Sequence, residues 1–260
     1  MKRREFLAAS CFSGLLPWAA GAEAADTPAG QQKELYELRL YQIESEPKQN
    51  LVSDFLREAA VPAWQRIGIG PVGVFSLQEP EGLGLYVLLP HKSLASVLSA
   101  NRRLMSDAEF LKAGAAFLDV PMKDPAFKRI ESTLLLAFDN MPKLQVPSTK
   151  PSRVLQLRIY ESHSPKMARK KIEMFNEGGE IEIFRRVGMT AVFFGESLIA
   201  PNLPNLTYML GFDDAEAQKT AWDKFKADPA WLKLKNDPQY KDTVSKVTNI
   251  LLRPAPCSQI

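Results

Sequence analysis

The chain has 260 residues, 45% hydrophobic and 24% charged, with a formal net charge of +3 and a mean hydropathy of −0.18. That balance excludes disorder, collagen and a polytopic membrane protein, and it gives no basic surface for nucleic acid. Two cysteines, Cys11 and Cys257, allow neither a disulfide framework nor a thiolate metal site, and two histidines, His91 and His163, exclude a multi-histidine metal centre.

The first element is an export signal. Lys2, Arg3 and Arg4 begin it, residues 8–22 are mostly apolar, and Ala22-Glu23-Ala24 offers an A-x-A cleavage site before Ala25. The apolar run is too short to cross ~30 Å of hydrocarbon and contains Pro17, so no stable membrane anchor is expected. Arg3, Arg4, Phe6 and Leu7 resemble the twin-arginine motif, which implies recognition by the twin-arginine export machinery and a periplasmic or otherwise exported protein. An ordinary secretory signal that happens to carry Arg-Arg is the alternative. Cleavage between Ala24 and Ala25 would remove Lys2, Arg3, Arg4, Glu5 and Glu23, a net of +1, leaving +2 and Cys257 as the one thiol. Residues 25–34 then form a polar tail.

Two units follow. A strand over 35–41 leads to a helix with apolar positions Leu51, Val52, Phe55, Leu56 and Ala59, ending near Gly68. Strands over 72–77 and 83–89 flank the turn Glu79-Pro80-Glu81-Gly82, then come a helix over 94–105, a short helical element near Phe110 and a closing strand over 133–138. Residues 141–153 are Pro-rich and polar, a linker. The second unit reads as a strand over 154–160, a helix over 166–187, strands over 190–196 and 206–212, a helix over 215–227 and a strand over 247–252.

The units are copies. Tyr36-Glu37-Leu38-Arg39-Leu40-Tyr41 matches Leu155-Gln156-Leu157-Arg158-Ile159-Tyr160, an offset of 119 residues, and Trp64-Gln65-Arg66-Ile67-Gly68 matches Phe184-Arg185-Arg186-Val187-Gly188. Tyr86 falls on Tyr208, and Asp107 on Asp228. The order βαββαβ is the ferredoxin-like pattern. Such a sheet has helices on one face only, so the expected architecture is α+β: units 35–140 and 154–260, two tandem ferredoxin-like sheets packed face to face as an α+β barrel.

Leu-Arg-x-Tyr on the opening strands, Phe184-Arg185-Arg186-Val187-Gly188-Met189, Pro204-Asn205-Leu206-Thr207-Tyr208-Met209-Leu210 and Asp228-Pro229-Ala230-Trp231 together resemble the NIPSNAP family. The resemblance covers residues 154–260 most closely and 35–138 more loosely. It implies the dimeric α+β barrel superfamily, whose members include cofactor-independent monooxygenases, muconolactone isomerases and haem-degrading or haem-peroxidase enzymes. That range names no reaction.

Alternation places Leu38 and Leu40 on one strand face and Glu37, Arg39 and Tyr41 on the other, with Leu157 and Ile159 likewise opposed to Gln156, Arg158 and Tyr160. The aliphatic face is expected against the helices and the polar face between the sheets. Arg39, Tyr41, Arg158, Tyr160 and Tyr208 would then line an interior suited to a small anionic ligand, or would serve as structural ion pairs and core rings. Glu177, beside the helix-breaking Gly178-Gly179, and His163, in the turn before the helix, are further ligand candidates, with close helix packing and a solvated loop as the respective bland readings. His91, just after the third strand, is a second acid–base or haem-ligand candidate, with a solvated surface position as its bland reading. No metal site and no cofactor are expected, and no nucleotide or hydrolase motif occurs. Two classes stay open: a small-molecule binder or enzyme using the interior polar set, and a non-catalytic envelope interaction or scaffold protein, with homo-oligomerisation compatible with either.

Overall fold

The computed structural model describes residues 32–78 and 82–260. The export signal, the Ala24–Ala25 cleavage site and Glu79, Pro80 and Glu81 of the first hairpin turn lie outside the described residues. The first unit runs β1 (Leu35–Gln42), α1 (Glu46–Phe55), a π-helical turn (Leu56–Ala60), α2 (Val61–Arg66), β2 (Gly73–Leu77), β3 (Gly84–His91), α3 (Leu94–Met105), the short α4 (Ala108–Ala113) and α5 (Ala115–Leu118), and β4 (Arg129–Ala137). The second runs β5 (Val154–Glu161), α6 (Pro165–Asn176), α7 (Glu180–Arg186), β6 (Thr190–Ile199), β7 (Asn205–Phe212), α8 (Ala215–Ala227), α9 (Pro229–Lys235), a 3-10 turn (Pro238–Tyr240) and β8 (Lys246–Pro254). Among the described residues no helix is long and apolar enough to cross a membrane.

The two sheets do more than pack. They hydrogen-bond at both seams, β2 with β8 through Phe75–Pro254, Ser76–Arg253 and Leu77–Leu252, and β4 with β6 through Leu135–Ser197 and Leu136–Glu196. The result is one closed antiparallel barrel in the order β1-β3-β2-β8-β5-β7-β6-β4. Closure removes every sheet edge that two separate four-stranded sheets would leave. The duplication recurs in the helix caps: Asp107 caps α4 and holds Arg66 at 2.7 Å, and Asp228 caps α9 and holds Arg186 at 2.7 Å.

The strand faces are opposite to the sequence expectation. The lumen is the aliphatic side, filled by Tyr36, Leu38, Phe75, Leu88, Leu157, Phe193 and Met209. Arg39, Tyr41, Arg158, Tyr160 and Tyr208 point outward, beneath the helices, where Tyr41 joins the first helix-facing core and Tyr208 the second. The reason is that both faces of each strand are buried, and the packed stretch of the lumen leaves no room for a charge and its hydration. The space under the helices, edged by solvent, accepts side chains with an apolar stem and a polar tip.

Strand register corrects a second expectation. Leu40 opposes Tyr86 in β1–β3, and its counterpart Ile159 opposes Thr207 in β5–β7, so Tyr86 corresponds to Thr207 and not to Tyr208. One residue of slip inverts the face: Tyr86 enters the lumen, Tyr208 faces the helices.

The long helix expected over 166–187 is two helices. Gly179 adopts φ +82° and a Cβ on Gly178 would stand 2.6 Å from the Met174 carbonyl oxygen, so one glycine supplies a left-handed turn and the other a close backbone approach. The first unit continues its helix through the π-helical turn instead.

Candidate functional site

Beneath the helices each unit holds an arginine on its opening strand, and the two environments differ. In the first unit Arg39 makes a two-pronged contact with Glu37, Nε to Oε1 at 2.7 Å and Nη2 to Oε2 at 2.9 Å, with its guanidinium over the Trp64 ring at 5.6 Å. Ser132 donates to the same Glu37 carboxylate at 2.8 Å. His91, the last residue of β3, is fully buried rather than a surface loop residue; its Nδ1 meets the Ser96 hydroxyl at 3.0 Å and its Nε2 faces Glu37 at 3.7 Å. Burial alone would favour the neutral acid, but the facing His91 ring, the Arg39 fork and Ser132 outweigh it and hold the Glu37 carboxyl well below the usual carboxylate range. Glu37 and Arg39 offset each other's charge here, while the buried His91 Nε2 and Trp64 Nε1 have no hydrogen-bond partner among the described residues.

The second unit keeps the arginine and drops its counterion. Gln156 stands where Glu37 does, Asn249 where Ser132 does, and Phe212 where His91 does, following the strand registers. The amide of Gln156 donates to Asn249 at 2.6 Å and accepts from the Trp222 indole at 2.6 Å, so it neutralises nothing. Among the described residues Arg158 has no carboxylate within ion-pair distance. Its Nη2 donates to the Tyr160 hydroxyl at 3.1 Å, its Nη1 reaches Asn249 at 3.5 Å, and its Nε is buried without a partner. The guanidinium lies over the Trp222 ring at 4.7 Å and over the Tyr160 ring at 5.4 Å. Tyr208 donates to Tyr160 at 2.9 Å, and burial pushes the Tyr208 phenol up, so it remains a neutral donor.

Arg158 and Trp222 form part of an open groove of about 430 Å³ whose charged rim carries Lys219, Lys226 and Asp223. Counting Arg158, the groove holds three cations and one anion. An unneutralised guanidinium on an aromatic plate, with Lys219 at the rim beside a Lys226 that pairs with Asp223 at 3.7 Å, is chemically suited to a planar carboxylate.

The other sequence candidates are not brought to this groove. His163 and Glu177 are exposed, in the turn before α6 and at the end of that helix. The buried carboxylate of this region is Glu180, which pairs with buried Lys171 at 2.6 Å; the Lys171 ammonium sits 4.6 Å from the centre of the Phe175 ring. The sequence singles out neither, because Lys171 lies in the run Lys166, Arg169, Lys170 and Lys171, whose interleaved basic residues read as a solvated helix face. Nor does it single out Trp222 or Gln156, although Glu37 opposite Gln156 in the repeat alignment is a visible signal of lost charge pairing. Among the described residues no group of three His, Cys, Asp or Glu side chains is placed to hold a metal.

The model of the NIPSNAP family matches residues 155–259, the second unit. No curated protein matches the chain. Among solved structures, a protein of Fusobacterium nucleatum subsp. nucleatum ATCC 25586, provisionally named a monooxygenase, superimposes with a TM-score of 0.57 at 8% identity, covering 86% of this chain and 93% of its own. One from Lactobacillus acidophilus NCFM with the same provisional name gives 0.55 at 10% identity, covering 85% and 94%. An anthrone oxidase-like protein gives 0.51 at 11% identity, covering 87% and 93%. At these identities the neighbours speak for the two-unit α+β barrel fold alone.

Proposed function

We propose that the chain is an exported, tandem NIPSNAP-type α+β barrel that binds a small organic carboxylate at the Arg158 groove of its second unit. The observation that carries this reading is the unpaired Arg158 guanidinium, stacked on Trp222 in an open groove, beside a first unit whose equivalent arginine is fully neutralised. The NIPSNAP match to residues 155–259 supports the family placement, and it falls on the unit that holds the groove. The reading moves the ligand from between the sheets to the helix side of one sheet.

The Trp222 indole N–H donates to Gln156 beneath the groove, so its NMR resonance reports occupancy. Adding benzoate should shift that resonance saturably in the wild type and leave it in place in Arg158→Met. An unmoved Trp222 signal, or an equal shift in the variant, rejects the site. Export rests on the N-terminal sequence and is tested separately. Arg3→Lys with Arg4→Lys preserves charge, so it should block twin-arginine export and would leave a general secretory signal working.

A scaffold role is the second reading. It is favoured by the exposed apolar stripe Leu94, Leu98 and Met105 on α3, which are 53%, 76% and 46% exposed, and by a lumen that is filled over most of its length.

A further inference from the structure

The filling of the barrel stops at one end. Where β1 and β5 finish, the lumen opens into a cavity of about 220 Å³, room for roughly seven water-sized groups at ~30 Å³ each. Its floor is Leu38, Leu40, Ile159 and Ile250. The cavity exists because the two units diverged here as well. In the first, Leu40 is flanked across the strands by Tyr86 and Glu131; in the second, Ile159 is flanked by the smaller Thr207 and Thr248. Large polar groups on one wall therefore face short hydroxyls on the other.

Two of those wall groups keep acceptor capacity that no neighbouring side chain uses. Tyr86 is only 8% exposed, yet its hydroxyl has no hydrogen-bond partner among the described residues. Burial and the Glu131 charge push its phenol up to about 12, so it is protonated at neutral pH and still offers its oxygen lone pairs. Glu131, exposed at the mouth, accepts one bond from the Gln42 amide at 2.5 Å, and among the described residues no cation pairs with it. Lys246 at the rim is already held by Glu161 at 3.0 Å, so it does not neutralise Glu131.

We propose that this barrel mouth is a second binding site, for a small aliphatic ammonium. An ammonium presents three N–H donors, which the Glu131 carboxylate, the Tyr86 oxygen and a threonine hydroxyl can accept, while a short alkyl chain covers the leucine and isoleucine floor. The site lies inside the barrel wall and shares no lining residue with the Arg158 groove, so it stands or falls independently of the carboxylate reading.

The test is calorimetric titration of the full chain with n-butylammonium chloride, and with 1-pentanol as an uncharged probe of similar size. Saturable one-to-one binding of n-butylammonium is expected, with none for 1-pentanol. Glu131→Gln should weaken binding by at least about tenfold, the loss of one charge-assisted contact. Thr248→Met should abolish it by filling the cavity. No heat from n-butylammonium, equal uptake of the two probes, or full affinity in Glu131→Gln overturns the proposal. Should Glu131→Gln fail to fold, retained binding in Thr248→Met overturns it instead.

Discussion

Lys171 and Glu180 show how a single pair can hold two elements together. The pair joins α6 to α7 across the glycine break, with side-chain exposures of 5% and 2%. Burying two charges gives back most of their attraction as lost hydration, so the pair as a whole adds little stability. Removing one member is different, because the survivor is left charged and unpaired. Lys171→Met should therefore lose about 3–5 kcal/mol in denaturant unfolding, and Lys171→Met with Glu180→Leu should recover much of it. A loss below about 1 kcal/mol in the single variant would show that the pair is not buried as described. The same reasoning separates Arg39 from Arg158. One strands a carboxylate when it is removed; the other strands none.

At the scale of elements, the break between α6 and α7 is set by two glycines with different tasks. Gly179 holds φ +82°, where a Cβ is strained although nothing crowds it, and Gly178 lies against the Met174 backbone. Gly179→Ala should cost about 1–2 kcal/mol, a fall in melting temperature of roughly 2–8 °C for a chain of this size. An unchanged melting temperature would mean that the turn relaxes to another backbone conformation. Element identity was otherwise well written in the sequence. Ala215–Ala227 was readable as a helix from its Asp214 cap and apolar spacing, and the strand pairs followed from the repeat. What the sequence did not disclose was which face of each strand looks inward. Alternation separates Leu38 and Leu40 from Arg39 and Tyr41, but in a barrel coated with helices both faces are buried, and the sign depends on partners such as Trp64 and Trp222 that arrive from distant helices. Tyr86 was misaligned by one position for a related reason: aromatic identity suggested Tyr208, while hydrogen-bond register pairs its row with Thr207.

Residues 35–260 form a duplicated unit closed into one barrel, in which the copies have kept their strand order and parted in their charges. Closure through β2–β8 and β4–β6 makes each half the other's missing sheet edge, and side chains beneath the helices and at the barrel mouth have diverged within that shared frame. The first unit retains the Glu37–Arg39 pair as structure, and the second releases Arg158 for a ligand. Thermal melts of Arg39→Met and Arg158→Met, each with and without benzoate, separate the structural arginine from the ligand-binding one. Arg39→Met should lose about 3 kcal/mol, of order 10 °C in melting temperature, because the half-buried Glu37 loses its cation and keeps only Ser132 and His91, and it should keep the benzoate-induced rise. Arg158→Met should melt close to the wild type and lose that rise. A large destabilisation of Arg158→Met, or a benzoate response that survives in it, would contradict the account.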